Sequence, residues 1–235
     1  MVPFANGKGG VGKTALACSY AVVQAQGGAD VIVTDLNDEQ QTALTWARVR
    51  ESNGILPRIR VEMATPRRVL EMIGRCDLLV VDTPGWTDKN TLALAKQSTL
   101  MVIPTGPNPT YDLEPTVRLL HGLKKEGIEP WRLSVVLSRF RADAKHVREE
   151  EEFARAYLEE AGYQALAGCL RNTPGYSKAL AEGHGLTEVG GGELRDEATE
   201  VMQSISSAVS AAERRLARQQ THDRTPERDR GGRSL

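Results

Sequence analysis

Residues 7–14 read Gly7-Lys8-Gly9-Gly10-Val11-Gly12-Lys13-Thr14: a glycine, four residues, then Gly-Lys-Thr. No other stretch of the 235-residue chain limits the possible folds as much. Glycines let backbone N–H groups turn inward and approach a polyphosphate with no Cβ in the way. A helix starting at Lys13 adds its positive N-terminal end. In such a loop Lys13 is the cation for the β- and γ-phosphates and the Thr14 hydroxyl is a Mg²⁺ ligand. The cradle then comprises Gly7, Lys8, Gly9, Gly10, Val11, Gly12, Lys13, Thr14 and Ala15. A glycine-rich turn without a ligand is the bland alternative. Context argues against it, because an apolar stretch (2–5) precedes the loop and a helix-compatible run (15–23) follows it.

Taken in order, the chain alternates short β-branched runs with helical patterns, as an α/β doubly wound, mostly parallel sheet with helices on both faces requires. A first strand is expected over 1–6. Pro3 has no N–H for a central ladder, so it opens the strand or the strand is short. The loop helix runs from Lys13 to about Gln26, where Gly27-Gly28 ends it. Residues 31–34 form a buried strand that delivers Asp35 to the sheet's C-terminal edge, where ligands of such sheets gather. Helices are expected over 42–50 and 65–73, the second opened by Thr65-Pro66, with a strand over 58–63. Residues 77–85 read Asp-Leu-Leu-Val-Val-Asp-Thr-Pro-Gly, a buried strand that carries Asp82 to the metal site, usually through a bound water. A helix over 91–97 and a strand over 100–104 follow. A turn-rich link (104–112) then leads into a helix ending near Gly122 or Gly127. A strand is expected over 133–139 and an acidic, solvated helix over 146–161. Residues 164–170 read as a short connecting segment, and 177–182 as a helix. A last long helix over 193–219 has Val201, Ile205 and Val209 on one face. The expected organisation is one domain over 1–219 and a disordered basic tail over 220–235.

Formal net charge is −1, so nucleic-acid binding requires a local patch. Three scattered cysteines, Cys18, Cys76 and Cys169, fit no disulfide framework or zinc site and suit a reducing cytoplasm. No run has the length of a membrane span and no signal peptide precedes the loop.

Lys8 gives the loop a particular form. The run 8–14, with Val33-Thr34-Asp35 and Val81-Asp82-Thr83-Pro84-Gly85, resembles the deviant Walker A ATPases of the ParA/MinD superfamily. The resemblance extends from the first strand to about Val189. It implies a phosphate-loop NTPase fold, ATP and Mg²⁺, and a Lys8 that reaches across an ATP-bound homodimer to the partner's phosphates. The chain opens at the loop, so the N-terminal helix-turn-helix extension of larger ParA proteins is not expected. The small ParA class is the nearest pattern, with the VirC-type accessory ATPases of conjugative DNA transfer similar in length and layout. Another branch positions carboxysomes. The family's Asp-x-Asp-Pro-Gln segment is altered here. Its first aspartate matches Asp35, but the second, taken as the hydrolytic residue, matches Asn37, and an amide cannot accept a proton from water as a carboxylate can. Asp38 or Glu39 as substitutes, or Asn37 orienting the water, are the alternatives. The candidate catalytic set is therefore Lys8, Lys13, Asp35, Asn37 and Asp38. The candidate metal set is Thr14, Asp35 and, through water, Asp82.

Three functions compete. The first is a nucleoid-associated ATPase in the cytoplasm that segregates a DNA cargo with a ParB-like or other adaptor protein. Its nonspecific DNA contact would come from Arg214, Arg215 and Arg218 at the end of the last helix, where arginines also complement the helix dipole. The second, a MinD-like membrane regulator, needs a bulky apolar face beside a basic one. The C-terminal segment has no Phe or Trp, so no membrane is expected. The third is a metabolic enzyme of the same superfamily, either a reductase needing cluster-bridging cysteines, which these scattered positions fit poorly, or an amide-forming synthetase.

Overall fold

In a computed structural model, residues 1–85 and 89–223 are described. Seven strands form one all-parallel sheet: β1 (Val2–Phe4), β2 (Val31–Asp35), β3 (Arg60–Met63), β4 (Leu78–Asp82), β5 (Met101–Thr105), β6 (Leu133–Phe140) and β7 (Ala165–Arg171). Their order is β3-β2-β4-β1-β5-β6-β7, so the strand feeding the glycine loop lies in the middle. The helices are α1 (Lys13–Gln26), α2 (Thr42–Ser52), α3 (Pro66–Met72), α4 (Lys89–Gln97), α5 (Glu114–Lys125), α6 (Ala144–Glu160), α7 (Pro174–Ala181) and α8 (Gly192–Asp223).

Successive strand residues face opposite sides of a sheet, and both sides are covered. Val31 and Val33 join Val2, Phe4, Val80 and Val102 in a core closed by α1, α2, α7 and α8. Ile32, Leu79, Val81, Met101 and Ile103 join a second core closed by α3 through α6. Burial on both faces explains why these strands read as continuous apolar runs. α8 lies on the first core through Val201, Ile205 and Val209, the face expected from sequence spacing, and also through Ala212.

Several boundaries differ from expectation. β1 is only three residues long, the shorter alternative for a strand containing Pro3. The segment 164–170 is the edge strand β7, not a connector. Its small residues and Gly168 disguise it. Gly168 has φ +83°, and a Cβ there would stand 2.7 Å from Val201 Cγ2, so the glycine admits α8 against the strand. The link before α5 contains a π-helical turn, Pro109–Leu113, capped by Asn108, whose side chain accepts from the Thr110 and Tyr111 N–H groups. α8 continues to Asp223, so helix replaces the first four residues of the expected tail. Positions 224–235 lie outside the described residues. Among the described residues no helix is long and apolar enough to cross a membrane.

Candidate nucleotide site

The glycine loop leaves β1 and turns through Gly10 and Gly12, at φ +76° and +89°, where glycine avoids the Cβ penalty of other residues. Gly12 is the N-cap of α1, which places the free N–H groups of that helix end in the loop. Sequence reasoning overlooked Asn6, which anchors the loop. Buried at 2% exposure, it donates to Pro104 O and Thr116 Oγ1 and accepts from the Lys8 N–H at 3.0 Å. Its position directly before the first loop glycine was the available signal. On the other flank, Thr83 donates from Oγ1 to Phe4 O at 2.9 Å. A Cβ on Gly85 would stand 2.9 Å from Gly7 O, so the turn after β4 presses directly on the loop.

Lys13 is buried and donates from Nζ to Lys8 O at 2.8 Å, across the cradle. Burial lowers its pKa, partly offset by the charge of Asp82. Thr14 Oγ1 donates to Asp82 Oδ2 at 2.6 Å, joining the first helical turn to the end of β4. The other oxygen, Asp82 Oδ1, is buried with no hydrogen-bond partner among the described residues. A buried acceptor without a donor is costly, and its place beside the Thr14 hydroxyl fits a hydrated Mg²⁺ shared with a phosphate. No group of three or more His, Cys, Asp or Glu able to hold a metal occurs among the described residues. That donor set suits a cation completed by phosphate and water rather than an all-protein cage.

Asp35 lies level with Asp82, its register partner on the neighbouring strand. Its oxygens are engaged by backbone: Oδ1 accepts from Asn37 N, Oδ2 from Ala43 N and Leu44 N. It thus fastens the start of α2 to the phosphate edge. Asn37 is tied at both ends of its amide to Gln40, donating to Oε1 and accepting from N at 3.1 Å each. Asp38 is exposed beside it. Lys8 forms an ion pair with Asp112, which is 8% exposed and also accepts from Asn108 N. Asp112 was not singled out from sequence. It stands 104 residues from Lys8, and only the π-helical turn brings the two together. A cavity of about 980 Å³ opens beside Lys8, lined by Leu92, Tyr111, Arg118 and Leu119 among others. A second, of about 490 Å³, opens beside Thr14 and Ala15, between α1, α2 and α7. Arg214, Arg215 and Arg218 lie apart from the loop on the exposed side of α8, where the Arg215 guanidinium stands 5.6 Å from the centre of the Trp131 ring.

Burial, with the nearby Asp35 charge adding, pushes the Asp82 carboxyl up to about 7, against the pull of the Thr14 hydrogen bond and Lys13. The same group ionises near 3.8 without those surroundings. Between these values the folded chain holds a proton that the unfolded chain has released, so stability falls as pH rises toward neutrality. We predict that Asp82→Asn flattens this slope in the ligand-free chain. Its melting temperature should exceed that of wild type above about pH 7 and converge with it toward about pH 4. Thermal melts across that range check this, and parallel curves would contradict it.

The comparisons with known proteins agree with this geometry. Residues 2–186 match the family described as CobQ/CobB/MinD/ParA nucleotide binding domain. The chain is 30% identical over 199 residues to maintenance of carboxysome distribution protein A of Gloeobacter kilaueensis, covering 83% of this chain and 88% of that protein. Among solved structures, the Pyrococcus furiosus cell division ATPase MinD aligns with a TM-score of 0.64 at 15% identity, covering 88% of this chain and 98% of the other. A putative plasmid partition protein of Borrelia burgdorferi bound to AMPPNP aligns with a TM-score of 0.65 at 14% identity, with the same coverages. At those identities the two structures speak for the fold. With the family match spanning most of the chain and the loop, Thr14 and Asp82 meeting at one sheet edge, the chain belongs to the CobQ/CobB/MinD/ParA nucleotide-binding family.

Proposed function

We propose that this chain is an ATP- and Mg²⁺-dependent positioning ATPase of the ParA/MinD kind. In this reading it dimerises on ATP through Lys8, holds nonspecific DNA as the dimer, and distributes a cargo with an adaptor protein that stimulates hydrolysis. The observation that carries the reading is the pairing of a Thr14–Asp82 contact, with one Asp82 oxygen unpartnered among the described residues, and a second loop lysine, Lys8, that is 38% exposed at its side chain. Thr14 and Asp82 would hold the metal, the latter through water. Lys13 and the loop N–H groups would hold the phosphates. Asp35, with both oxygens on backbone N–H groups, acts in this reading chiefly by positioning α2. The bound metal would supply charge neutralisation at the phosphates.

Hydrolysis is slow in this reading, because Asn37 stands at the family's carboxylate position with its amide tied to Gln40. Asn37→Asp should raise the basal rate of phosphate release severalfold. A brisk wild-type rate that survives this change but is lost in Asp38→Ala would make Asp38 the working carboxylate.

The cargo has two readings. A DNA cargo follows from the small ParA layout, and the Borrelia structure bears a plasmid-partition name. A protein cargo is supported by the Gloeobacter relative, named for carboxysome distribution. In either case the DNA contact is assigned to the exposed Arg214, Arg215 and Arg218. A dimer doubles this patch, and two weak contacts become one avid one. Binding should require ATP, weaken steeply with salt through counterion release, and fall in Arg214→Ala/Arg215→Ala/Arg218→Ala. A DNA titration with ATP or ADP at several salt concentrations checks this. Equal affinity in both nucleotide states would contradict the dimer's avidity, and unchanged affinity in the triple variant would remove α8 from the DNA contact.

A further inference from the structure

One cation beside the loop has no place in the reading above. Arg139 is the seventh of eight residues in β6 and is exposed, while the other seven are buried. Its φ is +64°, a left-handed conformation that among described non-glycine residues only Gln41 shares. The register with β7 slips at Arg139 itself: Ser138 pairs with Leu170 and Phe140 with the very next residue, Arg171, which leaves Arg139 as the extra residue. The bulge turns Arg139 out of the ladder at the phosphate edge of the sheet. Ser138 Oγ lies 2.8 Å from where a Cβ on Gly12 would stand, and Arg139 Nη1 lies 4.0 Å from the same point on Gly10. Two successive residues of β6 thus abut the two left-handed glycines of the loop.

The guanidinium forms no hydrogen bond or ion pair among the described residues. Its neighbours differ: Arg141 pairs with Glu150, and Arg171 with Glu193 and Glu197. A left-handed backbone is unfavourable for a residue with a Cβ and persists where surroundings impose it, often at ligand sites. Here it holds an unpaired planar cation against a loop built for oxyanions, and a guanidinium is suited to phosphate oxygens. Gly10 and Gly12 belong to the part of such loops whose N–H groups cradle the α- and β-phosphates, whereas the loop lysine reaches on to the γ-phosphate.

We propose that Arg139 is a phosphate-contacting residue of the nucleotide site, closing on an oxygen of the phosphates that nucleoside di- and triphosphates share. The assignment rests on the ATP reading above. It is tested by calorimetric titration of MgADP and a non-hydrolysable MgATP analogue into wild type, Arg139→Gly and Arg139→Ala, with thermal melts of each ligand-free chain. Both variants should lose about tenfold or more in affinity for both nucleotides, the loss of one charge-assisted contact. Arg139→Gly should melt at or above wild type, because glycine accepts φ +64° without strain. A gain or parity in stability beside a loss of affinity is a signature that a structural role would not give. Unchanged affinity in both variants overturns the proposal. So does a loss confined to the triphosphate analogue, which would place the contact on the γ-phosphate. An affinity loss in Arg139→Gly matched by a lower melting temperature overturns it in favour of a structural role. Wild type binding neither nucleotide would overturn the ATP reading itself, and this assignment with it.

Discussion

A carboxylate buried at the end of β4, joined at 2.6 Å to the hydroxyl of the first turn of α1, is the interaction on which the site depends. Asp82 is 3% exposed and keeps one oxygen without a partner among the described residues. Burying such a group costs free energy unless its lone pairs are satisfied. The fold therefore carries a local deficit at its central edge, placed where a cation and a polyphosphate would remove it. Strain of this kind at a site is offset by packing elsewhere, here the two apolar cores on either face of the sheet.

The loop itself is held by contacts that involve no ligand. Asn6 ties it to β5 and α5 through Pro104 O and Thr116 Oγ1, and the turn after β4 reaches its backbone at Gly85. Ser138 bounds it from β6. A cradle fixed from three sides presents its N–H groups with little reorganisation on binding, which is what electrostatic preorganisation requires. Lys8 is the exception. Partly exposed, it is held by an ion pair with Asp112 on a π-helical turn and not by packing in a core.

Much of this was legible in the sequence because it depends on local chemistry. The glycine spacing fixed the loop, β-branched runs ending in Asp35 and Asp82 gave strands with carboxylates at one edge, and Thr65-Pro66 gave the start of α3, where Thr65 caps the Arg68 N–H. What escaped depends on contacts distant in sequence. β7 contains Gly168 and few β-branched residues, so only its pairing with β6 defines it. Asp112 acquires its meaning from Lys8, and Asn6 from Pro104 and Thr116. Arg139 reads as an ordinary strand residue until a register slip and a left-handed φ aim it at the loop. The family resemblance carried Lys8 and Asn37, whose roles spacing alone does not reveal.

Joining the phosphate site to a positioning cycle requires that ATP change the association state of the chain and that Lys8 mediate the change. Light scattering of the chain with MgATP, MgADP or no nucleotide, on wild type and Lys8→Ala, measures this directly. The expected result is a doubling of mass with MgATP in wild type alone, with Lys8→Ala remaining folded and monomeric in all three conditions. The same MgATP-induced dimer in Lys8→Ala, or a mass in wild type that ignores nucleotide, would contradict it.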